Sequence, residues 1–120
     1  MPKRILIVDD SEDIREVLEA SLKLKGRETL SVSSRDEALS VVANGWIPDL
    51  ILLDYYMPGL EIEPFLKKLI AERTSNLPRI VLMTAGLEAD AKARELGIPE
   101  VLRKPFIPED VLTGIDPAAA

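Results

Sequence analysis

The chain contains neither cysteine nor histidine in its 120 residues. Without cysteine there are no disulfides and no thiolate metal sites, which fits a reducing compartment. Without histidine it lacks the usual general base, the commonest zinc ligand and any phosphohistidine of its own. Basic surface is scarce as well. The formal charge is −6 with no run of lysine and arginine, the reverse of what nonspecific nucleic-acid binding requires. No stretch approaches the ~18 apolar residues of a membrane span. The opening "MPKRILIVDD" reaches its acids too soon for a signal peptide. These absences predict a cytoplasmic protein with no membrane contact and no direct nucleic-acid contact.

What remains is an ordinary globular composition, 47% apolar. A chain of this size buries roughly two-thirds of its unfolded surface, enough for one core. One domain over residues 1–116 with a tail at 117–120 is the expectation. Short apolar runs alternate with helical patterns along its length. "RILIV" (4–8), "LILL" (50–53) and "RIVLMT" (79–84) read as buried strands. "ETLSVS" (28–33) alternates like a strand exposed on one side, and "VLRK" (101–104) makes a short last strand.

Between them, Ser11 predicts the cap of a helix that buries Ile14, Val17, Leu18 and Leu22 and stops at Gly26. Ser34-Arg35-Asp36-Glu37 reads as an S-x-x-E capping box. Pro64 suits the first turn of a helix burying Phe65, Leu66, Leu69 and Ile70. A modest helix follows at 87–96, and Pro108 opens a short last helix to Ile115. Five β-α units with short connections predict an α/β fold: a five-stranded parallel sheet, order 2-1-3-4-5, with helices on both faces.

Ligands of such sheets gather at the carboxyl ends of the strands. There the sequence places Asp9 and Asp10 after strand 1, Asp54 after strand 3, Thr84 after strand 4 and Lys104 after strand 5. A lone Asp in such a place is ordinarily a turn former, a lone Lys a solvated side chain. Glu12 and Asp13 need no more than the dipole of a helix's first turn. The combination argues otherwise, because strands 1 and 3 are neighbours in this order and their carboxylates converge. Three crowded carboxylates raise at least one pKa unless a cation joins them. Mg²⁺, or Mn²⁺, takes such oxygens and keeps positions for a phosphoryl group. Asp54 stands where a carboxylate nucleophile would meet phosphorus. Lys104 and Thr84 would hold the remaining phosphoryl oxygens.

With "ILIVDD", "DLILLDYYMP", "IVLMTA" and "LRKPF" in this order, nearly the whole chain resembles the CheY-like receiver domain of bacterial two-component response regulators. The resemblance implies a flavodoxin-like fold and Mg²⁺ held by Asp9, Asp10 and Asp54 with the Tyr56 backbone carbonyl. It implies phosphorylation of Asp54, phosphoryl contacts from Thr84 and Lys104, and a cis peptide before Pro105. It further implies a sensor histidine kinase or phosphotransfer protein as donor, and an output partner or domain at helix 4, strand 5 and helix 5. Such a domain takes part in its own phosphorylation and slow autodephosphorylation without being an enzyme in the usual sense. Tyr56 and Gly86, two residues past Asp54 and Thr84, would tune the hydrolysis.

The chain departs from the family pattern in several places. Val101 occupies the switch position that normally carries an aromatic partner to Thr84, and valine is stiff and lacks a polar tip. Ile62 replaces a usual glycine eight positions past the acceptor, leaving Gly59 to absorb the turn. The stretch from Thr84 to Lys104 is slightly short, and so is the last helix. Val101 keeps open an alternative: a structural or interaction module that retains the pocket without switching. A phosphatase with an Asp nucleophile would need Asp-x-Asp after the first strand. A flavin-binding relative would need a Ser/Thr- and Gly-rich loop there, and "VDDSED" supplies neither.

Overall fold

Apolar runs long enough to be buried on both faces set the centre of the sheet. The computed structural model describes residues 3–72, 78–86, 88–98 and 100–104. In it β1 (Arg4–Val8), β3 (Leu50–Asp54) and β4 (Arg79–Thr84) are buried at nearly every position. A strand covered by helices on both sides has no solvent face to reserve for polar residues. The edges go to β2 (Glu28–Val32) and β5 (Glu100–Arg103), whose residues are more exposed. All neighbours pair parallel in the order β2-β1-β3-β4-β5, the doubly wound arrangement expected from the sequence.

Side chains along a strand alternate between faces, and the core divides accordingly. Ile5, Ile7, Leu50, Leu52, Val81 and Met83 pack with Leu18 and Leu22 of α1 (Glu12–Leu24). Leu6, Val8, Ile51, Leu53, Ile80 and Leu82 face the other way. They lie in one apolar cluster with residues of α2 (Arg35–Ala43), α3 (Ile62–Glu72) and α4 (Glu88–Leu96). No helix among the described residues is long and apolar enough to cross a membrane. The last helix, the peptide before Pro105 and the tail at 117–120 lie outside the described residues.

The helix starts follow their local sequence signals more closely than the apolar stripes do. Ser11 caps α1 through the Ile14 N–H, and Ser34 caps α2 through the Glu37 N–H. Glu37 does not complete the box; its carboxylate takes the Ser33 hydroxyl instead. Helix α3 begins at Ile62, two residues ahead of Pro64. Gly59 does absorb the preceding turn, with φ of +94°, a region L side chains avoid. Two residues expected in the core are not there: Val17 is 51% exposed and Ile70 is 54% exposed. At 3.6 residues per turn, Ile62, Phe65, Leu66 and Leu69 span an arc of about 100°, and Ile70 lies about 90° from its centre. That is the flank of the helix.

The adjacent pair in α3 makes this measurable. Leu69→Ala, at a fully buried position, is expected to cost about 3 kcal/mol in denaturant unfolding. Ile70→Ala is expected to cost less than about 1 kcal/mol. Equal costs would contradict the placement.

Candidate functional site

Because every strand is parallel, their carboxyl ends share one edge, and the polar residues that terminate them are brought together. Asp9 follows β1 and is fully buried; Asp54 closes β3 and is 4% exposed; Asp10 beside them is exposed. One carboxylate oxygen from each of the three lies within 4.8 Å of the others. Lys104, carried in just past β5 by a 2.7 Å bond from its N–H to the Thr84 carbonyl, reaches into this group. Its Nζ donates to Asp9 Oδ2 at 2.8 Å and lies 3.3 Å from Asp54 Oδ1. The structure thus gathers Asp9, Asp10, Asp54 and Lys104 as the sequence predicts.

Asp9 is fixed from several sides. Its Oδ1 accepts the Ser11 N–H at 2.9 Å, and its backbone carbonyl accepts Arg15 Nη1 at 2.8 Å. Thr84 is buried at the end of β4, and its Oγ1 accepts the Gly86 N–H at 3.0 Å. As an acceptor there, the hydroxyl keeps its own proton for another oxygen. The Gly86 carbonyl in turn accepts from Arg103, which also pairs with Asp90 of α4. Tyr56 is 49% exposed and stands edge-on to Tyr55, ring centres 4.7 Å apart. Val101 lies opposite Leu82 in the sheet, partly buried against the apolar cluster.

Sequence reasoning missed Arg35. It is the first residue of α2, only 3% exposed. Its Nη1 donates to the Leu60 carbonyl at 2.8 Å, and its Nη2 to the carbonyls of Asp54 and Tyr55 at 2.9 and 2.8 Å. One signal was available: Arg35 shares helical phase with buried Ala38 and Val42, so the inward stripe begins on a cation. Arg15, on the Asp9 carbonyl, was missed as well.

The charges do not balance by themselves. Burial, reinforced by the negative charge of Asp9 and more weakly Asp10, pushes the Asp54 carboxyl up to about 6, against the pull of Lys104. Burial works to lower the Lys104 ammonium, but its hydrogen bond to Asp9 and the charges of Asp54 and Asp9 outweigh this and hold it above the usual lysine value. Burial likewise lowers Arg35, opposed by Asp54 and Glu61. The donor set suits a hard divalent cation. It offers only oxygens, two of three carboxylates are buried, and an ammonium already bridges Asp9 and Asp54 as a stand-in positive charge.

Known proteins agree with this picture. A family model described as "Response regulator receiver domain" matches residues 5–116. The phosphate regulon transcriptional regulatory protein PhoB of Pseudomonas aeruginosa is 37% identical over 115 residues, covering 92% of this chain and 48% of that protein. Its counterpart in Escherichia coli K12 is 34% identical over 117 residues, covering 96% and 51%. The chain therefore spans about half the length of these relatives. Among solved structures, the Vibrio cholerae chemotaxis protein CheY4 superposes with a TM-score of 0.84 at 26% identity, covering 98% of both chains.

Asp54 offers a test on the cation-free protein. Its folded pKa of about 6 lies above the usual carboxylate value of 3.8. The neutral acid is therefore favoured by folding, and that stabilisation is complete below pH ~4 and lost as pH rises through ~6. Asp9, Asp10, Lys104 and Arg35 all act on this group. Asp54→Asn is expected to stabilise the cation-free protein at pH 7.5 by on the order of 1–2 kcal/mol, and much less at pH 4. Denaturant melts at the two pH values measure the difference, and a destabilised Asn variant at pH 7.5 would contradict it.

Proposed function

Because the chain belongs to the response regulator receiver domain family, we propose that it accepts a phosphoryl group on Asp54 and presents an altered surface to a partner or output domain. The observation that carries this is the convergence of three carboxylates within 4.8 Å, with the Lys104 ammonium across two of them. Since the chain has no histidine, the donor imidazole belongs to a sensor histidine kinase or a phosphotransfer protein. The setting is the cytoplasm, and the domain is a signalling element with no turnover substrate of its own.

Asp9, Asp10 and Asp54, with the Tyr56 carbonyl, would hold the Mg²⁺. A bound Mg²⁺ supplies neutralisation of the carboxylates and of the oxygens of the transferring group. The residues do the rest. An ionised Asp54 oxygen attacks phosphorus; the new P–O bond forms as the P–N bond to the donor imidazole breaks, and the imidazole leaves with that electron pair. Lys104 Nζ, already at the Asp54 carboxylate, pairs with a phosphoryl oxygen, and the Thr84 hydroxyl donates to another. In hydrolysis a water oxygen bonds to phosphorus as the P–O bond to Asp54 breaks; the Asp54 carboxylate leaves with that electron pair, and the proton given up by water goes to the inorganic phosphate or to solvent. Tyr56, half exposed and two residues past the acceptor, would screen that water, and Gly86, two residues past Thr84, would admit it.

A second reading, a receiver-like interaction module that keeps the pocket without switching, is favoured by Val101. Its branched side chain rests against the core and offers no ring to move behind Thr84. The curated relatives are named as transcriptional regulators, and coupling to an output of that kind is part of the leading reading.

Intact-mass spectrometry after acetyl phosphate and Mg²⁺ is expected to show one added phosphoryl in wild type and none in Asp54→Ala. No adduct in wild type would favour the interaction module. Tyr56→Asn is expected to shorten the phosphorylated lifetime severalfold, followed by loss of the adduct mass with time; an unchanged lifetime would remove Tyr56 from the hydrolysis.

A further inference from the structure

Among the described residues the buried guanidinium of Arg35 forms no ion pair with a carboxylate. Its hydrogen bonds run to the Asp54, Tyr55 and Leu60 carbonyls, while its Nε has no hydrogen-bond partner among the described residues. Burying a cation is costly unless something is gained by its position. Its position is distinctive. Residues 55–61 connect β3 to α3, and Arg35 grips the carbonyl of Asp54 at the end of the strand, that of Tyr55 at the start of the loop, and that of Leu60 near the loop's end. The Tyr56 carbonyl follows immediately after the two that Nη2 holds, and the left-handed turn at Gly59 comes before the third. A planar fork of fixed geometry can fasten several carbonyls at once; an ammonium on a flexible stem cannot do so with the same definition.

We propose that Arg35 is a positioning residue that sets the divalent-cation affinity of the Asp9–Asp10–Asp54 site by fixing the loop that carries the Tyr56 carbonyl. The inference rests on the phosphoryl-acceptor reading and deepens it. Arg35 touches neither the cation nor the phosphoryl group; it acts through the backbone it fastens. Residues that orient a ligand in this way typically change metal affinity by 10–100-fold when removed. The ligand concerned here is one carbonyl among carboxylates, so the lower end of that range applies.

The test is calorimetric titration of the full chain with Mg²⁺, alongside hydrogen exchange of the 55–61 amides in the metal-free protein. Wild type is compared with Arg35→Gln, Arg35→Lys and Val42→Ala. The last weakens the same helix at a buried position and removes none of the three hydrogen bonds from Arg35. Arg35→Gln is expected to bind Mg²⁺ about tenfold more weakly, with faster loop exchange. Arg35→Lys keeps the charge, loses the fork and is expected to remain weaker than wild type. Val42→Ala is expected to melt earlier and bind Mg²⁺ as wild type does. If Arg35→Gln does not fold, the Lys variant carries the comparison alone. Wild-type affinity in Arg35→Lys, or an equal loss in Val42→Ala, overturns the inference and leaves the acceptor reading standing. A wild-type protein indifferent to Mg²⁺ overturns both.

Discussion

Three carboxylates whose oxygens lie within 4.8 Å of one another cannot drift apart, because the strands that carry them are locked in the core. Ile5 to Val8 and Leu50 to Leu53 are fully buried, and their register across the sheet fixes where Asp9 and Asp54 emerge. The hydrophobic effect holds the acids together, and electrostatics pushes them apart. Apolar burial contributes about 25 cal/mol per Å², so eight buried aliphatic side chains easily outweigh the repulsion of one charge pair partly compensated by Lys104. The conflict is therefore held at the sheet edge rather than relaxed, and it adds to burial, the larger cause, in raising the pKa of Asp54.

Two cations answer that conflict in different ways. Lys104 contacts the carboxylates directly, and Arg35 grips the backbone behind them. The division follows from their chemistry. A compact ammonium on a four-carbon stem can exchange one oxygen partner for another as the charge at the site changes, while a guanidinium fork is suited to contacts that stay fixed. For the proposed phosphoryl transfer, the contacts that must change are Lys104's, and the ones that must not are Arg35's. Arg15 extends the same logic to Asp9, where it fastens the carbonyl and leaves the carboxylate available.

The legible part of the sequence was the part governed by short-range rules. Buried strands announced themselves as apolar runs, helix starts as Ser11 and Ser34, and the site as polar residues terminating strands 1, 3, 4 and 5. Parallel topology then did the convergence, since every strand must end at the same edge. Where a residue's fate depended on how far a helix face extends, the pattern misled: Val17 and Ile70 are apolar, correctly spaced from a neighbour, and still too far round to be covered. Glu37 fitted the capping box in spacing but found the Ser33 hydroxyl, a competitor that spacing alone does not reveal. Arg35 was the harder case. A charged residue at a helix start is usually solvated, and only its phase with Ala38 and Val42 distinguishes it; its three carbonyl partners lie 19 to 25 residues away along the chain.

The same local view bears on Val101. A missing aromatic weakens the case for switching only if a ring is the sole link between Thr84 and the outer surface. Here Thr84 Oγ1 is bonded to the Gly86 N–H, Gly86 is bonded through its carbonyl to Arg103, and Arg103 pairs with Asp90 on α4. As proposed, the Thr84 hydroxyl donates its own proton to a phosphoryl oxygen, which leaves its lone pairs free to keep the Gly86 N–H. A Thr84 side chain that moved towards that oxygen would draw Gly86 with it or stretch their bond, and either strains the contacts that run from Gly86 through Arg103 to α4. A link from Thr84 to the surface thus exists in hydrogen bonds even where the ring is absent, and a valine at 101, packed against Leu82's side of the sheet, does not obstruct it.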